Sequence, residues 1–373
     1  MGIGTPCTTT TTTSTELPVA EADAPPDRPL PSPVSHLEGT PTMPNAVLFD
    51  QPGSPNVLSL RSVEKQTPAA DEVLIDVHAA GINNADLLQR RGHYPVPPGA
   101  PRPLGLECAG IITAVGRDVT GWNVGDEVCA LLAGGGYADE VAVPAGQVMP
   151  LPRGLTMVEA AAFPEVACTV YSNLAMIAGV TEGKSVLVHG AGGGIGSFAI
   201  QWAAAIGATV ITTAGSDLKA KAGIDLGAAT AINYRTTDFV DAVLEVTEGA
   251  GVDAVLDVVG AEYLQRNIRC LTDDGHLIMI GGSMATTPID LWELLSRRAS
   301  ISATLLRARP KEQKAEIVAG VTRDVLPLIE AGSIRAVIEA VVPLADAATA
   351  HEVLESGQTV GKVILDNTSR PGR

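Results

Sequence analysis

Apolar and polar positions change their period twice along this chain. From Ala46 to Val143 the apolar residues fall in short runs, Ala46–Phe49, Val57–Arg61, Glu72–His78, Gly110–Val115, Glu127–Leu132 and Tyr137–Val143, separated by Pro and Gly. Runs of that length and alternation predict strands, and their spacing predicts a small, irregular, barrel-like β domain. After Pro152 the period lengthens, and Met157–Ala162 and Ala167–Ile177 read as helices. Strands at Ser185–His189, Ala208–Thr213, Ala231–Asn233, Val252–Val258, His276–Ile280 and Ser300–Thr304 then alternate with helices at Asp217–Leu226, Asp238–Glu248 and Tyr263–Cys270. That alternation predicts a doubly wound α/β unit, a parallel sheet with helices on both faces. The last seventy residues read as helix Lys311–Gly332, strand Ala340–Val342, helix Leu344–Ser356 and strand Lys362–Leu365. They are too few for a core of their own and are expected to return to the β-rich region. The expected domains are 44–165 with 305–373, and 166–304.

The turn after Ser185–His189 holds five glycines within the seven residues Gly190–Gly196. Beyond it Ile195, Phe198, Trp202 and Ile206 recur at the spacing of one helix face. A main chain that turns sharply and approaches a diphosphate closely has no room for a Cβ, and the helix start offers unpaired N–H groups. The strict G-x-G-x-x-G pattern is not met, because Ala191 holds its first position while Gly193 and Gly196 hold the others. Strand before, helix after and the repeat of that pattern downstream nonetheless make this an expected dinucleotide site, with an ordinary strand-ending turn as the plain alternative.

The formal net charge of −17 argues against nucleic acid as a partner. Five cysteines without C-x-x-C spacing, unpaired with the six histidines, argue against a disulfide framework or a metal cluster and point to a reducing, cytoplasmic compartment. No apolar run is long enough for a membrane span. Residues 1–43, with threonines from Thr8 to Thr13 and five prolines between Pro25 and Pro33, are expected to be disordered, and Met43 is a candidate start.

Several motifs carry a family resemblance: Ala80-Gly-Ile-Asn-Asn-Ala-Asp86, Gly105-Leu-Glu-Cys-Ala-Gly110 and Val124-Gly-Asp-Glu-Val128. With the order of elements, they resemble the medium-chain dehydrogenase/reductase superfamily, a GroES-like barrel with a Rossmann domain. Leu87–Pro95, Leu131–Gly136, Thr213–Ser216, Ile232–Tyr234 and Thr304–Arg307 are similar to the zinc-independent, zeta-crystallin-like quinone oxidoreductases, in particular the tumour-suppressor-inducible subgroup. The resemblance covers about residues 44–366.

It implies NADPH as cofactor, a quinone or enone as small-molecule substrate and a homodimer. The zinc positions of the alcohol dehydrogenase branch correspond here to Asn83, Leu106 and Glu107, with Glu165 near the remaining one. Leucine coordinates no metal, so a zinc-free protein is expected. The second Rossmann strand ends in Ala214-Gly215-Ser216 with Lys219 beyond, where NAD-binding chains carry an acidic residue. The family assigns Ser216, Lys219 and Tyr234 to the cofactor's 2′-phosphate, with Gly215 beside them among the cofactor-binding residues. Ser216 or Asp217 also suits a helix cap, Lys219 a solvated surface lysine, and Asp217 a ribose hydroxyl. Ala191, Gly193, Gly194, Ile195 and Gly196 form the diphosphate turn. Gly281 and Gly282 end a parallel strand where ligands bind, and Leu305, Arg307 and Lys362 match family cofactor contacts, although a basic residue after a strand is usually solvated.

Asn83 and Tyr94, on a Pro- and Gly-flanked loop, are the substrate anchors the resemblance implies; a turn residue and an ordinary loop aromatic are the plain alternatives. Thr169 either reaches the nicotinamide amide or bonds its own helix. The expected reaction is two-electron hydride transfer from NADPH to a quinone or activated alkene. An enoyl-thioester reductase and a low-turnover NADPH-binding sensor remain as alternatives.

Overall fold

The computed structural model describes residues 10–13, 43–283 and 285–370. The disorder expected over 1–43 therefore lies outside the described residues, apart from 10–13 and Met43. Among the described residues, two large sheets organise the chain. In the six-stranded sheet the order is Thr230–Asn233, Thr209–Ala214, Ser185–His189, Val252–Asp257, Leu271–Met279 and Ser300–Ala303, every pair parallel. Counted along the chain this is 3-2-1-4-5-6, the doubly wound order whose direction reverses between the first and fourth strands. Such strands are covered on both faces, so Val186, Leu187, Val188, Val255 and Leu256 are all buried.

The crossover after the first strand is helix Gly194–Ala205. Its residues Phe198, Ile200 and Trp202 are buried. Burial of each contributes about 1.5–3 kcal/mol, which holds the helix start, and the glycine turn with it, against the sheet edge.

The seven-stranded sheet runs Ile338–Pro343, Lys362–Asp366, Glu72–Ile82, Glu107–Val115, Glu127–Leu131 and Val148–Pro150, with Glu140–Pro144 also paired to Glu72–Ile82. Lys362–Asp366 pairs antiparallel with the end of Glu72–Ile82, Val363 opposite Ile82. The C-terminal strand thus lies beside the first long strand, and this register brings Lys362 next to Asn83.

Four elements differ from the sequence pattern. Lys311–Gly332 is two helices, Lys311–Asp324 and Leu326–Glu330. Pro327 lacks the N–H a continuous helix needs. Ala167–Ile177 begins as α-helix Pro164–Val170 and continues as a π-helical turn, Tyr171–Ile177. Helices Asn84–Arg90 and Leu291–Ser296 stand where no helix is expected.

Candidate active site

The reversal point of the parallel sheet leaves a crevice at the strand ends, and the glycine turn fills one side of it. Gly190 takes φ +86°, a conformation open to glycine at little cost. A Cβ on Gly196 would lie 2.0 Å from the Gly190 carbonyl oxygen, so the helix meets the turn only because this residue lacks one. Ala191 is buried beneath the turn. At its flank, a Cβ on Gly192 would sit 2.8 Å from Lys219 Cδ, and one on Gly215 would sit 2.5 Å from Tyr234 Oη. Ser216 Oγ accepts from the Lys219 N–H at 3.4 Å and caps helix Asp217–Asp225, while Lys219 Nζ donates to the Gly357 carbonyl at 2.6 Å. The residues expected at the phosphates therefore share one edge. The cap reading of Ser216 is realised there too.

Adjoining the turn is a cavity of about 600 Å³. Of the residues singled out from sequence, Asn83, Tyr94, Thr169, Ile195, Gly281, Gly282, Leu305 and Arg307 all line it. A Cβ on Gly281 would meet nothing within 4 Å, whereas on Gly282, at φ +96°, it would lie 2.2 Å from Val259 backbone. Lys362 is not in the wall. Its stem packs on the turn, where a Cβ on Gly194 would lie 2.6 Å from Lys362 Cδ.

Beneath the wall is a buried polar cluster. Lys362 Nζ donates to Glu107 Oε1 at 2.5 Å and to Asn83 Oδ1 at 2.6 Å. Asn83 Nδ2 donates to Glu107 Oε1 at 2.8 Å, and Glu107 Oε2 accepts the Glu165 N–H at 2.9 Å. Glu107 is fully buried and Lys362 is 5% exposed. Two expectations change here. Asn83 is not on a free loop: it precedes helix Asn84–Arg90, with its N–H bonded to the Asp86 carboxylate at 2.8 Å. Its amide is also largely committed, the oxygen to Lys362 and one N–H to Glu107.

Thr169 Oγ1 donates to Glu165 Oε1 at 3.0 Å, so its hydroxyl serves a neighbouring carboxyl and not its own backbone. Glu165 lines the cavity. Burial, reinforced by the nearby Glu107 charge and opposed by Lys362, pushes its carboxyl up to about 7. In the sequence Glu165 stands out only beside the metal positions, because nothing local marks it. Its character comes from Glu107, which is distant in sequence. Burial also raises the Tyr94 phenol, and Glu165 adds to that while Arg307 opposes it. The Arg307 guanidinium lies 5.6 Å from the Tyr94 ring centroid.

Among the described residues no three His, Cys, Asp or Glu side chains are grouped to hold a metal ion, and no helix is long and apolar enough to cross a membrane. At the positions that correspond to zinc ligands stand an amide bonded to lysine, the Leu106 side chain in the cavity wall, and a carboxylate already paired with Lys362.

A Rossmann sheet joined to a second, GroES-like sheet, with a glycine turn opening into a shared cavity, defines an oxidoreductase of the medium-chain dehydrogenase/reductase type. Residues 69–153 match the alcohol dehydrogenase GroES-like domain family, and residues 226–365 match the family described as zinc-binding dehydrogenase. Quinone oxidoreductase 1 of Escherichia coli (strain K12) is 34% identical over 327 residues, covering 87% of this chain and 99% of its own. A phenolphthiocerol/phthiocerol polyketide synthase polypeptide of Mycobacterium tuberculosis is 34% identical over 318 residues; the match covers 85% of this chain but spans only 14% of that relative's length. The crystal structure of Escherichia coli quinone oxidoreductase complexed with NADPH superposes with a TM-score of 0.75 at 34% identity, covering 86% of this chain and 99% of that one. The chain belongs to the quinone-oxidoreductase-like group of the medium-chain dehydrogenase/reductase superfamily.

Proposed function

We propose that the protein is an NADPH-dependent reductase of quinones and related enones that works without a metal ion. The observation that carries this reading is the continuity of the glycine turn with a cavity that contains a protonatable carboxyl, Glu165, and no group of metal ligands among the described residues. Leu106 offers no lone pair, and Glu107 has its charge matched by Lys362, so the donor set does not suit zinc. The dinucleotide does fit: Ala191, Gly193, Gly194 and Gly196 leave the approach to the helix start clear, and Ser216, Lys219 and Tyr234 flank the position for a 2′-phosphate. Domains 44–165 with 305–373, and 166–304, are the units assigned to acceptor and cofactor.

When bound, NADPH supplies a hydride to the electron-poor carbon of the acceptor. The rest falls to the chain. Thr169, Ile195, Gly281, Gly282 and Leu305 would hold the nicotinamide, and the Tyr94 ring would offer a flat apolar wall to the acceptor. Negative charge growing on the acceptor oxygen needs a proton, and Glu165, protonated up to about pH 7, gives one and is recharged from solvent. Tyr94 is a weaker source, because its raised pKa holds the phenol proton tightly. Lys362 and Asn83 fix Glu107 behind Glu165 and so set its acidity.

The reading includes a homodimer and a reducing compartment; Cys108, Cys129, Cys168 and Cys270 are free and buried. The test is NADPH oxidation by chelator-treated protein against ortho-quinones, para-quinones, enones and enoyl thioesters. Turnover of quinones or enones is expected. Loss of turnover on chelation overturns the metal-free reading, and turnover of thioesters alone moves the chain to enoyl-thioester reduction, the alternative to which the polyketide synthase relative lends weight.

A further inference from the structure

Arg307 and Lys314 both line the cavity, and each is only 5% exposed. Arg307 is clamped through two nitrogens: Nε donates to the Ala133 carbonyl at 2.7 Å and Nη1 to Gln89 Oε1 at 2.6 Å. Its third nitrogen, Nη2, is buried with no hydrogen-bond partner. Lys314 comes from the first turn of helix Lys311–Asp324, and no carboxylate pairs with either cation among the described residues. Burial pulls both pKa values down, and the Arg307 charge pulls Lys314 down further. The Asp86 charge acts on Arg307 without a hydrogen bond between them, and its oxygens accept from the Asn83 and Gly105 N–H groups. Two buried cations without a counter-ion cost free energy that a bound anion relieves.

Arg307 is held by Gln89 and Ala133 and lies over Tyr94. Of these, Tyr94 lines the cavity as the acceptor wall, and none belongs to the glycine turn, whose own cation is Lys219. Resting on the reductase reading above, we propose that Arg307 Nη2 and Lys314 Nζ form an anion subsite at the acceptor end of the cavity, and that the preferred acceptors are quinones or enones bearing a carboxylate. Arg307, matched by family resemblance to the cofactor, is thereby assigned to the acceptor. A planar guanidinium edge and a nearby ammonium suit the two oxygens of a carboxylate.

The experiment compares a matched pair of acceptors, one neutral and one carrying a carboxylate, in the full-length wild type, Lys314→Met and Arg307→Gln. NADPH affinity is read by fluorescence titration and benzoate binding by calorimetry. Lys314→Met removes an unpaired buried charge and is expected to fold even where Arg307→Gln does not. The expected result is a fall of about tenfold or more in the kcat/KM ratio of carboxylated over neutral acceptor, the loss of one charge-assisted hydrogen bond, with benzoate binding lost in parallel. If instead NADPH affinity falls and the ratio holds, the cations serve the dinucleotide phosphates and the proposal is wrong. An equal fall on both acceptors makes the cations structural and also overturns it. If the wild type reduces neither acceptor yet binds benzoate, and Lys314→Met does not, the subsite stands while the reductase reading fails.

Discussion

Replacing Glu165 by Gln keeps the shape of the site and the acceptor for the Thr169 hydroxyl, but removes the proton that the proposed chemistry uses. The carboxyl is raised from 4.5 to about 7 by burial and by Glu107. At about 1.4 kcal/mol per unit, the fold disfavours the carboxylate by roughly 3 kcal/mol. The sign follows from linkage. A raised folded pKa means that this contribution is fully present below pH 4.5 and is lost as pH rises through about 7. The same proton sets the rate: with an enone, wild-type kcat is expected to be level below about pH 7 and to fall about tenfold per unit above it. In Glu165→Gln, kcat is expected to drop by about 10²-fold or more, the usual contribution of a placed general acid, and the break near pH 7 is expected to vanish. The assay is steady-state NADPH oxidation under saturating enone across about pH 5 to 9, with urea unfolding at the same pH values. A variant with wild-type kcat and an intact break refutes the assignment of Glu165.

Three further outcomes follow from the packing. Gly196→Ala places a methyl 2.0 Å from the Gly190 oxygen, so the turn must shift; NADPH Kd by fluorescence is expected to rise at least about tenfold, with about 1–3 kcal/mol lost in urea unfolding. Lys362→Met strands the fully buried Glu107 charge, and urea unfolding is expected to register a loss of about 3–5 kcal/mol that Lys362→Met combined with Glu107→Leu largely restores. His351, bonded to Tyr137 and Arg90, is kept neutral down to about pH 3 by burial and then by Arg90. Its depressed pKa means that its contribution is present above pH 6.5 and is lost as pH falls toward 3. Glu165 and Asp257, both raised, act in the opposite direction, so the measurement is the stability difference between wild type and His351→Gln. It is expected to change by about 1.4 kcal/mol per unit below pH 6.5.

The parallel sheet and its glycine turn were legible in the sequence because their signals are local. A β-branched run, a cluster of glycines and a helix period lie within one stretch of chain. Helix Asn84–Arg90 was not, although Asn83 and Asp86 stand at cap spacing, because the long apolar strand before them masks the break and the helix is short. The chemistry of Glu165 was hidden for another reason: its environment is made by Glu107 and Lys362, which reach it through two different strands of the seven-stranded sheet. Nothing in the sequence around Lys314, on helix Lys311–Asp324, marks it as buried. Only the packing of that helix against the rest of the fold buries it.

A crystal structure of the full chain with NADPH tests the central proposal most directly. The expected result has the diphosphate against the N–H groups of Gly193–Gly196, the 2′-phosphate beside Ser216 and Lys219, and the nicotinamide in the cavity between Thr169 and Gly281. A dinucleotide bound elsewhere, or a metal ion held by Glu107 and Glu165, would contradict it.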